Sequence, residues 1–239
     1  MQIRAAAAKV AKYATSESGD TLEMIERPHG GLSFVLADGQ RSGRGAKAIS
    51  NLVARKAISL LAEGVRDGAA ARAAHDYLRT LRRAQVLASL IIVSVDLVSQ
   101  TLVVSRNTEC PVVVVRGSET RLLDAPSEPV GVRAKMKPVI VELPIQAGTT
   151  VVAATDGVWS AGSRAHRRLD VPQLVAQLYQ KYAGDPRAMA DAILAETLAL
   201  DDGRPHDDIS VLVVSVLQGE SPDHARRLEV SFPLPPIIK

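Results

Sequence analysis

Apolar positions change their period several times along the chain, and each change marks an element. Leu32–Ala37 is a short apolar run with Gly30-Gly31 before it and Asp38-Gly39 after it, the punctuation of a strand ending at Asp38. From Ala46 the residues Ile49, Leu52, Val53, Ala57, Leu60 and Leu61 recur at three- and four-residue steps, which predicts an amphipathic helix ending near Gly64. A second helix follows, with Ala74, Tyr77, Leu78 and Leu81 on its inward face and Arg72, Arg79, Arg82 and Arg83 toward solvent.

The pattern then becomes extended. Leu87–Leu97, Thr101–Arg106, Pro111–Arg116, Glu119–Leu123, Pro138–Leu143 and Thr149–Ala154 are β-rich segments between short turns, and their uninterrupted succession predicts an antiparallel meander. Two helices, Val171–Tyr182 and Asp185–Ala199, precede strands at Ile209–Leu217 and Arg227–Phe232. Strands, helix pair, strands, helix pair, strands is an α+β order, antiparallel sheets covered by helices, and not the βαβα alternation of a parallel doubly wound fold. No repeat or linker divides the chain, so residues 1–239 are expected to form one domain.

Composition narrows the function. With 239 residues, 46 % apolar and only 3 % aromatic, the core must be built from Ala, Val, Leu and Ile, and aromatic stacking platforms for nucleic acid are disfavoured. A net charge of +3 is too small and scattered to demand a polyanion. Cys110 is the single cysteine, excluding intrachain disulfides and cysteine-based metal clusters, which fits a reducing cytoplasm. Arg4, Lys9 and Lys12 break the N-terminal apolar run before it reaches signal-peptide form, and VLASLIIVSVDLV is too polar to span a membrane. No nucleic-acid or membrane partner is expected.

The chemistry lies in acidic residues at strand ends. Asp20 follows Ser18-Gly19, Asp38-Gly39 closes one strand, Asp156-Gly157 closes another, and Asp207-Asp208 immediately precedes ISVLVVSV. Carboxylates at the ends of buried strands are costly unless hydrated, paired or bound to a cation. Asp-Gly is also the commonest hairpin dipeptide. Here the residues after Asp38-Gly39 lead into a helix and those after Asp156-Gly157 do not alternate as a returning strand, so the metal reading is preferred, with oxygen ligands selecting Mg²⁺ or Mn²⁺. Val158-Trp159-Ser160-Ala161-Gly162 comes near a nucleophile elbow, but its first glycine is missing and no partnered histidine is evident. His206 is read as an exposed loop histidine, with a place beside the Asp207 motif as the alternative.

Ser18-Gly19-Asp20, Ala37-Asp38-Gly39 with Ser42-Gly43 leading into a helix, Thr155-Asp156-Gly157-Val158, and Asp207-Asp208-Ile209-Ser210 occur in an order that resembles the SpoIIE-type branch of the metal-dependent serine/threonine phosphatases, relatives of the type 2C enzymes. The resemblance spans nearly the whole chain. It implies a four-layer αββα sandwich, two antiparallel β-sheets flanked by helix pairs, with two divalent cations, Mn²⁺ or Mg²⁺, at one end. It further implies Asp20, Asp38, the Gly39 carbonyl, Asp156 and Asp207 as the metal shell, Asp38 bridging the two ions, and Asp38, Asp156 and Asp207 acting catalytically through metal-bound water. The expected activity is hydrolysis of phosphoserine or phosphothreonine in a bacterial signalling or stress-response protein, such as an anti-sigma antagonist or stressosome-type component, by a stand-alone module. The alternative is a catalytically silent module of the same fold that binds a regulatory partner. Arg41 stands where the family usually has a second glycine, and is a candidate for binding the substrate phosphate or a plain surface residue.

Overall fold

A computed structural model describes residues 1–219, 225–231 and 233. Ten strands and five α-helices follow one another as β1 (Gln2–Val10), β2 (Asp20–Glu26), β3 (Gly31–Gly39), α1 (Gly43–Ala62), α2 (Asp67–Leu81), β4 (Ala88–Asp96), β5 (Thr101–Asn107), β6 (Val112–Arg116), β7 (Glu119–Leu123), β8 (Val139–Pro144), β9 (Thr149–Ala154), α3 (Asp156–Trp159), α4 (Val171–Tyr182), α5 (Pro186–Leu200) and β10 (Ile209–Leu217) among the described residues.

The strands form two antiparallel five-stranded sheets, ordered β1-β10-β9-β6-β7 and β2-β3-β4-β5-β8. Three apolar clusters glue four layers together. Val53, Ala57, Leu61, Ala74 and Leu78 of α1 and α2 pack on Val35, Leu90 and Ile92 of the second sheet. Leu36, Val93 and Val104 meet Val114, Val151 and Leu212 between the sheets. Val175, Met189 and Ile193 of α4 and α5 cover Val113, Val152 and Val213 of the first sheet. The result is the αββα sandwich, the alternating faces of the central strands serving two different cores.

Caps set the second helix pair. The Asp170 side chain accepts from Gln173 N at the start of α4, and Asp185 accepts from Arg187 N and Ala188 N at the start of α5, ahead of Pro186.

Three expectations are corrected, and a strand is added that the pattern did not predict. The central strands are not one meander: the hairpins β4-β5 and β6-β7 lie in different sheets, β8 returns to β5 and β9 crosses to β6, because two layers bury both faces of these apolar strands where one sheet would leave one exposed. The Ala-rich N-terminus is strand β1, paired with β10 from Gln2↔Leu217 to Val10↔Ile209, its small Ala6 and Ala8 allowing the α5 side chains close approach. Tyr77 and Leu81 are exposed, with the Lys56 ammonium over the Tyr77 ring. Residues 227–231 carry no strand, and Phe232 lies outside the described residues.

Candidate active site

Asp20 and Asp38 face each other as a register pair, because β2 and β3 run antiparallel with Asp20 opening one and Asp38 near the end of the other. Asp20 is fully buried (0 % exposed). Its Oδ2 accepts from Thr155 Oγ1 at 3.0 Å and Ser210 Oγ at 2.6 Å, hydroxyls carried by the opposite sheet, while its Oδ1 has no partner among the described residues. Thr155 occupies the N-cap position of α3 without capping it through its side chain. That hydroxyl instead ties the two sheets together across the site, and also accepts from Ser210 N at 3.0 Å.

β9 and β10 are neighbours, with Ala154 opposite Val211, so the residues just beyond them, Asp156 at the start of α3 and Asp207 in the loop before β10, emerge side by side. The electrostatics reflect this convergence. Desolvation first, then the Asp20, Asp156 and Asp207 carboxylates, push Asp38 far up, to about 9. Burial also raises Asp20, partly offset by the Ser210 and Thr155 hydroxyls. Desolvation and then Asp207 raise Asp156, with the Gly157 amide and His206 opposing.

Asp208 is engaged elsewhere. Its Oδ2 accepts from Gly19 N and its Oδ1 from Lys12 N, both at 2.9 Å, pinning the loop that delivers Asp20. Lys9 and Lys47 both donate to the Asp20 carbonyl, at 2.7 and 2.6 Å, on the outer side of that loop. Gly39 is required sterically: a Cβ there would lie 2.0 Å from the Ala46 carbonyl of α1. Gly157 is required for the same reason, its Cβ falling 2.2 Å from the Asp208 carbonyl. Arg41 is exposed, and its backbone sits at φ +79°, the left-handed region that favours glycine. Cys110 is buried, and burial pushes its thiol up to about 12, far from a reactive thiolate.

The residues thus brought together are Asp20, Asp38, Asp156 and Asp207. Among the described residues no three His, Cys, Asp or Glu side chains form a ready-made metal cage. Mg²⁺ and Mn²⁺ are typically held by few carboxylates with water completing the shell, so an open fan suits them better than a closed cage. The unpartnered Oδ1 of Asp20 and the mutual repulsion centred on Asp38 are what a dication would relieve, and the all-oxygen donor set fits such an ion.

Two networks escaped sequence reasoning. Thr155 and Ser210 were visible as motif residues, but their cross-sheet bonds to Asp20 depend on sheet stacking. His206 is not an exposed loop residue: its side chain is 12 % exposed, its Nδ1 lies 2.8 Å from Asp201 Oδ2 and its Nε2 lies 3.1 Å from Ser160 Oγ. Ser160 therefore does have a partnered histidine. Its nearby amides are nevertheless committed, Ala161 N to the Val158 carbonyl and Gly162 N to Asp201 Oδ1, so they offer no oxyanion hole.

Two stacked antiparallel sheets between helix pairs, with carboxylates from both sheets meeting at one end, define a PP2C-type serine/threonine phosphatase fold. Residues 28–217 match the family model for stage II sporulation protein E, and the chain belongs to the SpoIIE family. No curated protein sequence matches the chain. Among solved structures, the PP2C phosphatase domain of SpoIIE from Bacillus subtilis with a fragment of its regulatory domain superimposes with a TM-score of 0.75 at 22 % identity, over 90 % of this chain and 64 % of that one. This chain thus spans less than two thirds of that SpoIIE fragment. The RsbU and RsbW domains of a Mycobacterium tuberculosis protein give 0.71 at 18 % identity, over 90 % of this chain and 60 % of that one. The M. tuberculosis serine/threonine phosphatase PstP gives 0.68 at 15 % identity, over 90 % of this chain and 99 % of that one. The PstP catalytic domain has also been solved in complex with two manganese ions.

Proposed function

We propose that this chain hydrolyses phosphoserine or phosphothreonine in a bacterial regulatory protein, using two Mn²⁺ or Mg²⁺ ions. The observation that carries the proposal is the convergence of Asp20, Asp38, Asp156 and Asp207 from both sheets, close enough that the other three add to the effect of burial in raising Asp38 to about 9. An intact carboxylate set of this kind favours catalysis over a silent binding module, which gains nothing from holding repelling charges together.

Asp38, the Gly39 carbonyl, Asp20, Asp156 and Asp207 would hold the ions. Bound there, the ions would supply Lewis acidity, activating water for in-line attack and neutralising the phosphoryl oxygens. The chain's own residues do the positioning. Thr155 and Ser210 fix Oδ2 of Asp20 and leave Oδ1 without a partner among the described residues. Asp208 holds Gly19, and the missing Cβ of Gly39 lets α1 close on the strand end. Arg41, at the loop beside Asp38, is the candidate fork for the substrate phosphate.

A regulatory phosphoprotein as substrate is supported by the RsbU and RsbW domains and by a chain from a study of the bacterial stressosome among the similar structures. Among the described residues no helix is long and apolar enough to cross a membrane, and a cytoplasmic setting for one catalytic domain suits such a partner. The test is turnover of p-nitrophenyl phosphate and a phosphothreonine peptide by EDTA-stripped protein. Activity restored by Mn²⁺ or Mg²⁺ is expected, and activity indifferent to both EDTA and Mn²⁺ overturns the proposal.

A further inference from the structure

The segments that deliver Asp156 and Asp207 are joined by a chain of side-chain hydrogen bonds. Asp201, at the C-terminal cap of α5, accepts from Gly162 N through Oδ1 at 2.8 Å and from the His206 ring through Oδ2 at 2.8 Å. The other ring nitrogen of His206 meets Ser160 Oγ at 3.1 Å. Ser160 closes the α3 turn by donating its amide to the Asp156 carbonyl at 2.8 Å, and His206 is the residue before Asp207. One imidazole therefore bolts the turn that carries Asp156 to the loop that carries Asp207.

In a neutral ring, donation from Nδ1 to the Asp201 carboxylate would leave Nε2 to accept the Ser160 hydroxyl. A nucleophilic serine would need the same three groups plus free amides for an oxyanion, and here Ala161 N and Gly162 N are already bonded. The arrangement therefore serves placement. We infer that Asp201, His206 and Ser160 are positioning residues that set the relative placement of the Asp156 and Asp207 carboxylates and so the affinity for divalent cation.

This inference rests on the proposed metal-dependent activity, so its test measures binding apart from turnover. EDTA-stripped full-length chain is titrated with MnCl₂ by calorimetry, for the wild type and for His206→Ala, Ser160→Ala, Asp201→Ala and Asp201→Asn, alongside phosphatase assays at rising Mn²⁺. Outer partners of metal ligands are typically worth 10–100-fold in affinity, so the three alanine variants are expected to bind Mn²⁺ about tenfold more weakly, with activity recovering as Mn²⁺ is raised. Asp201→Asn should bind within about threefold of wild type, because an amide can accept from Gly162, donate to Nδ1 and let the opposite tautomer donate to Ser160, losing only the long 3.4 Å contact from His206 N.

Wild-type affinity in folded alanine variants overturns the inference. So does a turnover defect that no Mn²⁺ concentration restores together with Asp201→Asn as damaging as Asp201→Ala, since that pattern marks proton transfer by His206. If His206→Ala does not fold, Ser160→Ala, which removes one hydroxyl, carries the test. A wild-type chain that binds no Mn²⁺ overturns the metal-dependent reading itself, whereas tight wild-type binding with unaffected variants overturns this inference alone.

Discussion

Replacing Asp38 by Asn should abolish the proposed phosphatase activity and stabilise the metal-free protein at once. The carboxyl of Asp38 is desolvated and faces Asp20, Asp156 and Asp207, which together lift it from 3.8 to about 9. At pH 7 the unfolded chain has released this proton while the metal-free folded state keeps it, so folding must hold a proton against about three pKa units. At about 1.4 kcal/mol per unit that is an upper bound near 4 kcal/mol, and relaxation at a half-buried site reduces it to about 2 kcal/mol. Asn carries no proton to hold. For a chain of this length the gain corresponds to about 4–8 °C in Tm. The assay is a thermal melt in EDTA at pH 7, repeated with saturating Mn²⁺, next to phosphatase turnover. Asp38→Asn should melt higher than wild type in EDTA, lose most of the Mn²⁺-induced shift, and turn over at least about 10²-fold more slowly. A variant that melts lower in EDTA, keeps the full Mn²⁺ shift and remains active would refute the account of a carboxylate cluster built around Asp38.

The same raised acids set a pH dependence: their folded-state values lie above the unfolded ones, so stability of the metal-free protein is greatest below about pH 4 as far as these groups are concerned and falls as pH rises toward 9, which a Tm series in EDTA from pH 5.5 to 8.5 reads. Saturating Mn²⁺ should reverse that slope, and a metal-free Tm that rises across the range contradicts the assignment. Asp208→Ala leaves the Gly19 and Lys12 amides without their acceptor, and a loss of about 3 kcal/mol in urea unfolding is expected, whereas Asp207→Asn should leave the midpoint nearly unchanged. Arg41→Ala should raise KM for a phosphopeptide about tenfold if its guanidinium forks onto the phosphate, and an unchanged KM assigns it to the surface. Arg41→Gly should in addition gain about 0.5–1 kcal/mol in stability, because φ +79° suits glycine.

Local pattern was enough to place α1, α4, α5 and the strands from β3 to β10, since a period of two or of about 3.6 is written wherever an element buries one face or both. Asp38, Asp156 and Asp207 were visible for a related reason, each closing or opening an apolar run, whereas Asp20 was marked only by Ser18-Gly19 before it and β2 itself was not read from the pattern. The αββα layering itself entered through the resemblance of those motifs. β1 escaped because Ala5–Ala8 carries helix propensity, and only nine register pairs with β10, at the far end of the chain, make it a strand. Tyr77 and Leu81 have the helical spacing of core residues, yet no layer covers that part of α2. The division of labour between Asp207 and Asp208 is tertiary as well: adjacent residues of identical chemistry diverge because one faces the other carboxylates while the other finds two amides from the N-terminal segment. The same holds for Asp20, whose oxygens are distinguished only by Thr155 and Ser210, 135 and 190 residues away. Sequence carries the periodicity of each segment and the identity of its ends, but which ends meet is decided by burying two sheets against each other, and the site exists only where those distant ends coincide.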